Sequence, residues 1–400
     1  MADNKDKKVL NVPALRFPEF TGEWERHKLS EVCSFYSGGT PSSSKKEYYN
    51  GNIPFIRSGE LHKDYTELFI TEAGLSNSAA KLVETGDLLL ALYGATSGDI
   101  AISKIKGAIN QAILCIRTKQ NKKFIESVWN KHVERLLQTY LQGGQGNLSA
   151  DIVKNIPFYF ANSNEQDKLA KFISLLDERI ATQNKIIEKY ESLIQAMCDT
   201  LIESEQLKVE LSFNDFGKPY SGLSGKSAED FGNGWPYITY MNVYQNQIID
   251  ITDVGLVKIN ETEQQSVVRY GDILFTLSSE TPDEVGMGAV YLGDAYPLYL
   301  NSFCFGVHIT DESKIFSPFL AYYISTKSFR KAVFPLAQGS TRFNLQKNDF
   351  MKKIFHFPTV KKQSEIYSVL KAYSDKLSIE KNIVNLLCEQ KSYLLRQLFI

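Results

Sequence analysis

The chain has 400 residues, 43% hydrophobic and 23% charged, which is enough for two or three domains and ordinary for a folded soluble protein. A net charge of −1 excludes a uniformly basic surface, so any nucleic-acid contact must come from local patches. No apolar run approaches the roughly 18 residues of a membrane span, and five scattered cysteines without a Cys-x-x-Cys pair argue against disulfides or zinc and fit a reducing cytoplasm.

Residues 1–22 form an N-terminal segment with lysines but no apolar core of a secretion signal. Residues 23–162 read as a mixed α/β head. The runs "DLLLALY" and "AILCIRT" are short strands, and "FIESVWNKHVERLLQTYL" is an amphipathic helix. The loop "SGGTPSSSKKEYYNGN" is rich in Gly, Ser, Lys and Tyr, a composition suited to ligand contact or to plain connection. A basic stretch from Lys104 to Lys131 overlaps the helix.

Residues 163–204 contain no proline or glycine and carry Leu169, Ile173, Leu176, Ile180, Ile187, Tyr190, Ile194, Met197 and Leu201 at alternating spacings of four and three, interrupted only at Gln183. That beat keeps one seam of a helix apolar and predicts a coiled-coil partner surface about 55 Å long, at about 1.5 Å per residue. Residues 205–360 read as a second α/β head, with strands "DILFTLS", "AVYLG" and "FCFGVHI", a helix "FLAYYISTKSFRKAVF" and a second basic stretch from Lys327 to Lys353. Residues 361–400 repeat the long helix, with a seam of Ile366, Leu370, Tyr373, Leu377, Glu380, Val384, Leu387, Lys391, Leu394 and Leu398.

The second seam is the first displaced by 197 positions, from Leu169 to Ile366 and from Leu201 to Leu398. The interruption recurs (Gln183, Glu380), as do a preceding glutamine (Gln166, Gln363) and an Asn-Leu pair (Asn147, Asn344). Upstream, "GDLLL" pairs with "GDILF", and "IPFIRSGEL" with "WPYITYMNV". The chain is therefore read as two copies of a head followed by a long helix. Connectivity favours antiparallel helices, one head at each end and a pseudo-two-fold axis between them. Such a rod exceeds the ~34 Å of one DNA turn.

Catalytic motifs are missing from this reading. "SGLSGKS" imitates a phosphate loop but has Tyr220 where the first glycine belongs. The five histidines show no metal-ligand spacing, and no Asn-Pro-Pro-Tyr or nuclease cluster is found.

The stretches "GDLLLALYGATSGDIAISKIKGAINQAILCI", "GGQGNLSADIVKNIPF" followed by "EQDKLAKFISLLDERI", and "STRFNLQKNDFMKKIFHFP" resemble the specificity subunit of type I restriction–modification enzymes. With the duplication, the resemblance covers almost the whole chain. It implies an α+β architecture: two target recognition domains joined by a long antiparallel two-helix coiled coil. Each domain would read one half of a split, asymmetric target in double-stranded DNA. The resemblance further implies two methylation subunits and two restriction subunits as partners. S-adenosylmethionine, ATP and magnesium would serve those partners, with no cofactor or metal and no catalytic residue in this chain.

Base edges are read by polar side chains. The expected DNA-binding residues are Arg57, Tyr93, Lys104, Lys106, Asn110, Gln111 and Gln145 in the first head, and Thr239, Asn242, Ser278, Ser279, Asn301, Arg342 and Asn344 in the second. The asparagines could instead cap turns or satisfy backbone. Two other classes stay open at this stage: a coiled-coil adaptor that binds proteins without DNA specificity, and a single-chain enzyme.

Overall fold

The computed structural model describes residues 10–141 and 148–400. The chain divides into two compact units. Residues 1–184 with 383–400 form unit one, and residues 185–382 form unit two. No helix among the described residues is long and apolar enough to cross a membrane.

Unit one is built on a four-stranded antiparallel sheet in the order Cys33–Ser37, Ile113–Thr118, Leu88–Ala91 and Ile100–Ile102. The strand Leu88–Ala91 is buried on both faces, which explains its uninterrupted apolar run. Leu88 and Leu90 pack on Phe124, Val128 and Trp129 of the helix Lys122–Leu141. Leu89 and Ala91 face the other way, onto Ile56, Val83 and Ile109 of a second sheet. That sheet runs Phe69–Ile70, Tyr49–Ile56, Gly107–Ile109, Lys81–Val83, with its two middle strands parallel.

Unit two repeats the plan. Its central sheet runs Gly217–Ser221, Cys304–Ile309, Ile273–Thr276, Gly288–Val290. Ile273 and Phe275 pack into a cluster with Phe319 and Phe329, while Leu274 packs with Ile238, Val243 and Tyr291. The second sheet again contains a parallel pair, Phe231–Ile238 with Tyr299–Leu300. Unit two adds a small sheet of Ser278–Ser279, Phe343–Leu345 and Ala337–Gln338. The sequence counterparts of Phe343 and Asn344 in unit one fall within residues 142–147, outside the described residues.

The long helices span Ser163–Glu203 and Val360–Leu398. None of their seam positions is exposed, whereas Leu175, Leu193, Ile379 and Leu386 off the seam are. In unit one the start of the first long helix, Leu169 and Ile173, shares a core with Leu395, Leu398 and Phe399 at the end of the second. Asp177 there accepts Lys123 at 2.7 Å and Lys391 at 2.6 Å. Burial pushes this carboxyl up, but the two ammonium groups outweigh it and hold its pKa down. In unit two the roles are exchanged: Ile194, Cys198 and Ile202 near the end of the first helix pack with Ile366 and Leu370 near the start of the second.

The duplicated short motifs turn out to be structural devices. Gly86 and Gly271 have φ of +89° and +84°, the left-handed conformation that glycine adopts freely. Each places the following aspartate so that its carboxylate accepts a backbone amide three residues upstream, Glu84 N at 3.0 Å for Asp87 and Arg269 N at 2.8 Å for Asp272. The remaining capacity is used differently. Asp87 binds Arg117 at 2.9 Å, and Asp272 binds Tyr220 and His308. Gln166 and Gln363 are both buried, and each fastens a long helix to its head. Gln166 donates to Ala161 O at 2.7 Å and accepts Asn121 N at 3.2 Å, while Gln363 donates to Pro358 O at 2.8 Å and accepts Phe316 N at 2.7 Å.

Truncating Gln363 leaves a buried amide and a buried carbonyl without partners, at about 1–3 kcal/mol for each. Gln363→Ala is therefore expected to lower the urea unfolding midpoint clearly, while Gln390→Ala on the exposed helix face leaves it within about 0.5 kcal/mol of wild type. Equal midpoints for the two variants would contradict the fastening role.

Candidate nucleic-acid interface

The expected contact residues divide by environment. In the first head, Arg57 is held by two carboxylates, Glu60 at 2.8 Å and Glu67 at 2.7 Å, and its pKa is raised, chiefly by Glu60. Glu60 is buried and also accepts Arg57 N and the Thr66 hydroxyl, both at 3.0 Å. Burial raises its pKa, but the Arg57 guanidinium and the amides of Arg57 and Glu67 outweigh that and hold it at about 2. The charge of Arg57 is thus spent within the fold. Lys104 donates to His62 O at 2.9 Å, and Lys106 pairs with Glu84 at 3.1 Å on the surface. His62 bonds Asp99 at 2.8 Å, which raises its pKa against burial.

Asn110 and Asn301 occupy equivalent turns before the strands Ile113–Thr118 and Cys304–Ile309. The side-chain oxygen of Asn110 accepts Ala112 N at 3.1 Å, and that of Asn301 accepts Phe303 N at 2.8 Å. These turns press on glycines of the edge strand's exit. A Cβ on Gly38 would lie 1.8 Å from Ile109 O, and one on Gly222 would lie 2.0 Å from Asn301 O, so neither position admits a side chain. The amide nitrogens of both asparagines and the exposed Gln111, which Thr40 contacts through its hydroxyl, border this turn. Tyr93 is exposed at the head of the short turn Gly94–Thr96. Gln145 lies outside the described residues.

In the second head, Thr239 caps the helix Tyr240–Gln245 by accepting Asn242 N at 3.1 Å. Asn242 is 0% exposed and donates to Asp250 O at 2.7 Å and Asp253 O at 2.6 Å. Its amide closes the loop that follows the helix, so its side chain is turned inward. Ser278 and Ser279 are buried in the small sheet, where Ser278 pairs with Asn344 and the Ser279 hydroxyl donates to Glu284 at 3.0 Å. Asn344 itself is exposed. Arg342 is exposed on the same small sheet's hairpin, with its guanidinium 5.6 Å from the centre of the Phe303 ring. Among the described residues no carboxylate pairs with Arg342, in contrast to Arg57.

Three contributors were not read from the sequence. Phe303 is an exposed aromatic beside Asn301. Arg330 is a half-buried anchor, donating to Gly286 O at 2.7 Å and Asp283 O at 2.6 Å, and so fixing the loop 280–287. Trp129 does the same for the corresponding first-head loop through its indole N–H to Gly98 O at 2.8 Å. The basic stretches had drawn attention to Arg330, but for its charge rather than for its fork of donors to backbone carbonyls.

A family model described as the type I restriction modification DNA specificity domain matches twice, over residues 21–192 and 221–388. The specificity subunit of type I restriction enzyme MjaVIII from Methanocaldococcus jannaschii is 22% identical over 94% of this chain and 91% of its own length. The EcoR124I/EcoR124II specificity subunit of Escherichia coli is 27% identical over 44% of this chain and 45% of its own length. The fold is shared with the type I restriction–modification S subunit from M. genitalium, at a TM-score of 0.55 and 16% identity over 97% of this chain and 99% of that one. It is also shared with a chain solved in work on complex assembly and conformational transition of the type I R-M system, at a TM-score of 0.58 and 15% identity over 93% and 96% of the two chains.

Glu60 has a depressed folded pKa, so its stabilising contribution is complete above the unfolded value of about 4.3 and is lost as pH falls toward about 2. Glu60→Gln is expected to flatten the acid limb of the stability curve across that window, read by thermal midpoints from pH 5 to pH 2. An unchanged acid slope would count against the Arg57–Glu60 pair. Asn242→Ala is expected to destabilise by about 1–3 kcal/mol through the loss of its two hydrogen bonds to the Asp250 and Asp253 carbonyls, measured by thermal unfolding.

Proposed function

The chain belongs to the family of type I restriction modification DNA specificity domains, and from that premise we propose that it is the non-catalytic subunit that reads a bipartite, asymmetric DNA target for partner subunits. The observation that carries the reading is the double match over both heads, which share a sheet order but present different side chains. Unlike heads reading half-sites of unlike sequence give a non-palindromic target. Base contacts in the major groove come from the side chains that reach solvent: Arg342, Asn344 and Asn301 in the second head, and Gln111, Tyr93, Lys104 and Lys106 in the first. Thr239, Asn242, Ser278, Ser279 and Arg57 support them by holding the loops. The target recognition domains occupy residues 23–162 and 205–360, with spacer helices over 163–204 and 361–400.

The long helices pair as an antiparallel coiled coil that sets the distance between half-sites. Their outer faces support the expected partner subunits. Ile379, Leu386 and Tyr393 recur every seven residues and are all exposed, as are Phe172 and Leu193 on the first helix. An exposed heptad stripe is a surface for further helices. Two methylation subunits that use S-adenosylmethionine, and two restriction subunits that use ATP and magnesium, carry the chemistry. Among the described residues no group of His, Cys, Asp and Glu is placed to hold a metal ion.

Single-molecule sequencing of methylated DNA from cells expressing the chain with its methylation partner tests this directly. One split motif with two unlike halves is expected, and the absence of any motif dependent on this chain would overturn the reading. Arg342→Ala is expected to cut methylation about 5–150-fold, the range of a lost bidentate contact, and to relax one half-site only. Inserting one helical turn into both long helices should change the mapped spacer. A spacer that stays fixed would remove the helices as the ruler.

A further inference from the structure

The two heads diverge sharply at one position in the equivalent turns. Asn110-Gln111-Ala112 in the first head becomes Asn301-Ser302-Phe303 in the second. Phe303 is 55% exposed although both flanking strands are buried. Its main chain is held on both sides. Its N–H is bound by the Asn301 side chain at 2.8 Å, and its carbonyl accepts Leu277 N at 2.9 Å. The Arg342 guanidinium lies over the ring at 5.6 Å, so the aromatic group also aligns the unpaired arginine of the small sheet. A cleft lined by Lys226, Phe231, Tyr237, Asn301 and Phe303 opens beside the ring.

An exposed phenyl ring beside a guanidinium that no carboxylate pairs with among the described residues matches a specific piece of the major-groove code. Guanine offers O6 and N7 to a forked arginine, and the thymine C5-methyl is the one apolar group that the groove presents. The 5.6 Å separation lies between one and two base-pair rises of about 3.4 Å, so both groups can be met within two base pairs. Resting on the DNA-reading function proposed above, we propose that Phe303 is a specificity-determining residue of the second head, which contacts a thymine methyl while Arg342 forks onto a guanine within two base pairs of it. The first head has the smaller Ala112 at this position.

The half-sites are first mapped by sequencing of methylated DNA. Duplexes in which each thymine of the second head's half-site is singly replaced by deoxyuracil, which removes the methyl and nothing else, are then methylated by the complex of this chain with its methylation subunits. One replacement is expected to slow methylation about fourfold, the worth of one buried methyl-sized group. Phe303→Ala should make the complex indifferent to that replacement, and Phe303→Leu should retain part of the discrimination. The first half-site should be read as before. Indifference of the wild-type complex to every uracil, or an undiminished thymine preference in Phe303→Ala, overturns the inference while leaving half-site reading intact. Methylation that ignores the second half-site altogether overturns both the inference and the function on which it rests.

Discussion

Two long helices with an apolar seam cannot stand in water uncovered, and the rest of this protein is arranged around that constraint. An isolated helix gains little from its own hydrogen bonds, so its stability comes from burying the seam. Here the seam positions are sheltered along both helices, and the ends of each are drawn into the cores of the heads. Each unit thereby contains the start of one helix and the end of the other, with Ile173 near Leu398 in unit one and Cys198 near Leu370 in unit two. The buried Gln166 and Gln363 fix where each helix begins relative to its sheet, so helix and head act as one piece.

Scaffold and reader separate cleanly in the duplication. The motifs that survive in both halves, Gly-Asp, Gln before the long helix and Asn in the turn, are all engaged with backbone. They preserve a fold that can carry different faces. The halves differ where side chains come near solvent: Ala112 stands against Phe303, and Arg57, held by Glu60 and Glu67, against Thr239, which caps a helix. Divergence over a common frame fits the proposal that the two heads read unlike half-sites.

Much of this was legible in the residues. The four-three spacing located both long helices to within a few positions, because a helix seam is a local, periodic property. The strands at Leu88 and Ile273 were legible from apolar runs bounded by Gly-Asp. The site was less so. Asn242 reads as a polar loop residue, yet two carbonyls from a loop several residues on enclose it. Arg57 reads as a cation, yet two acids ten residues or fewer away consume its charge. Such outcomes depend on which loops meet in space, and no period in the sequence records that. Phe303 escaped for the same reason: its neighbour Phe305 is core, and only the start of the strand at Cys304 separates their fates.

The core of unit one has a consequence for the birth of the protein. Leu395, Leu398 and Phe399 stand beside Trp24, Phe124 and Phe160, and Gln397 O accepts the Leu15 amide at 2.9 Å. These residues emerge from the ribosome only after all of unit two, residues 185–382, has been made. At about 5–20 residues per second, that is a wait of roughly 10–40 s during which the aromatic floor of the first head lacks its cover. The first domain to be synthesised is thus the last to be closed, when translation brings its own tail home.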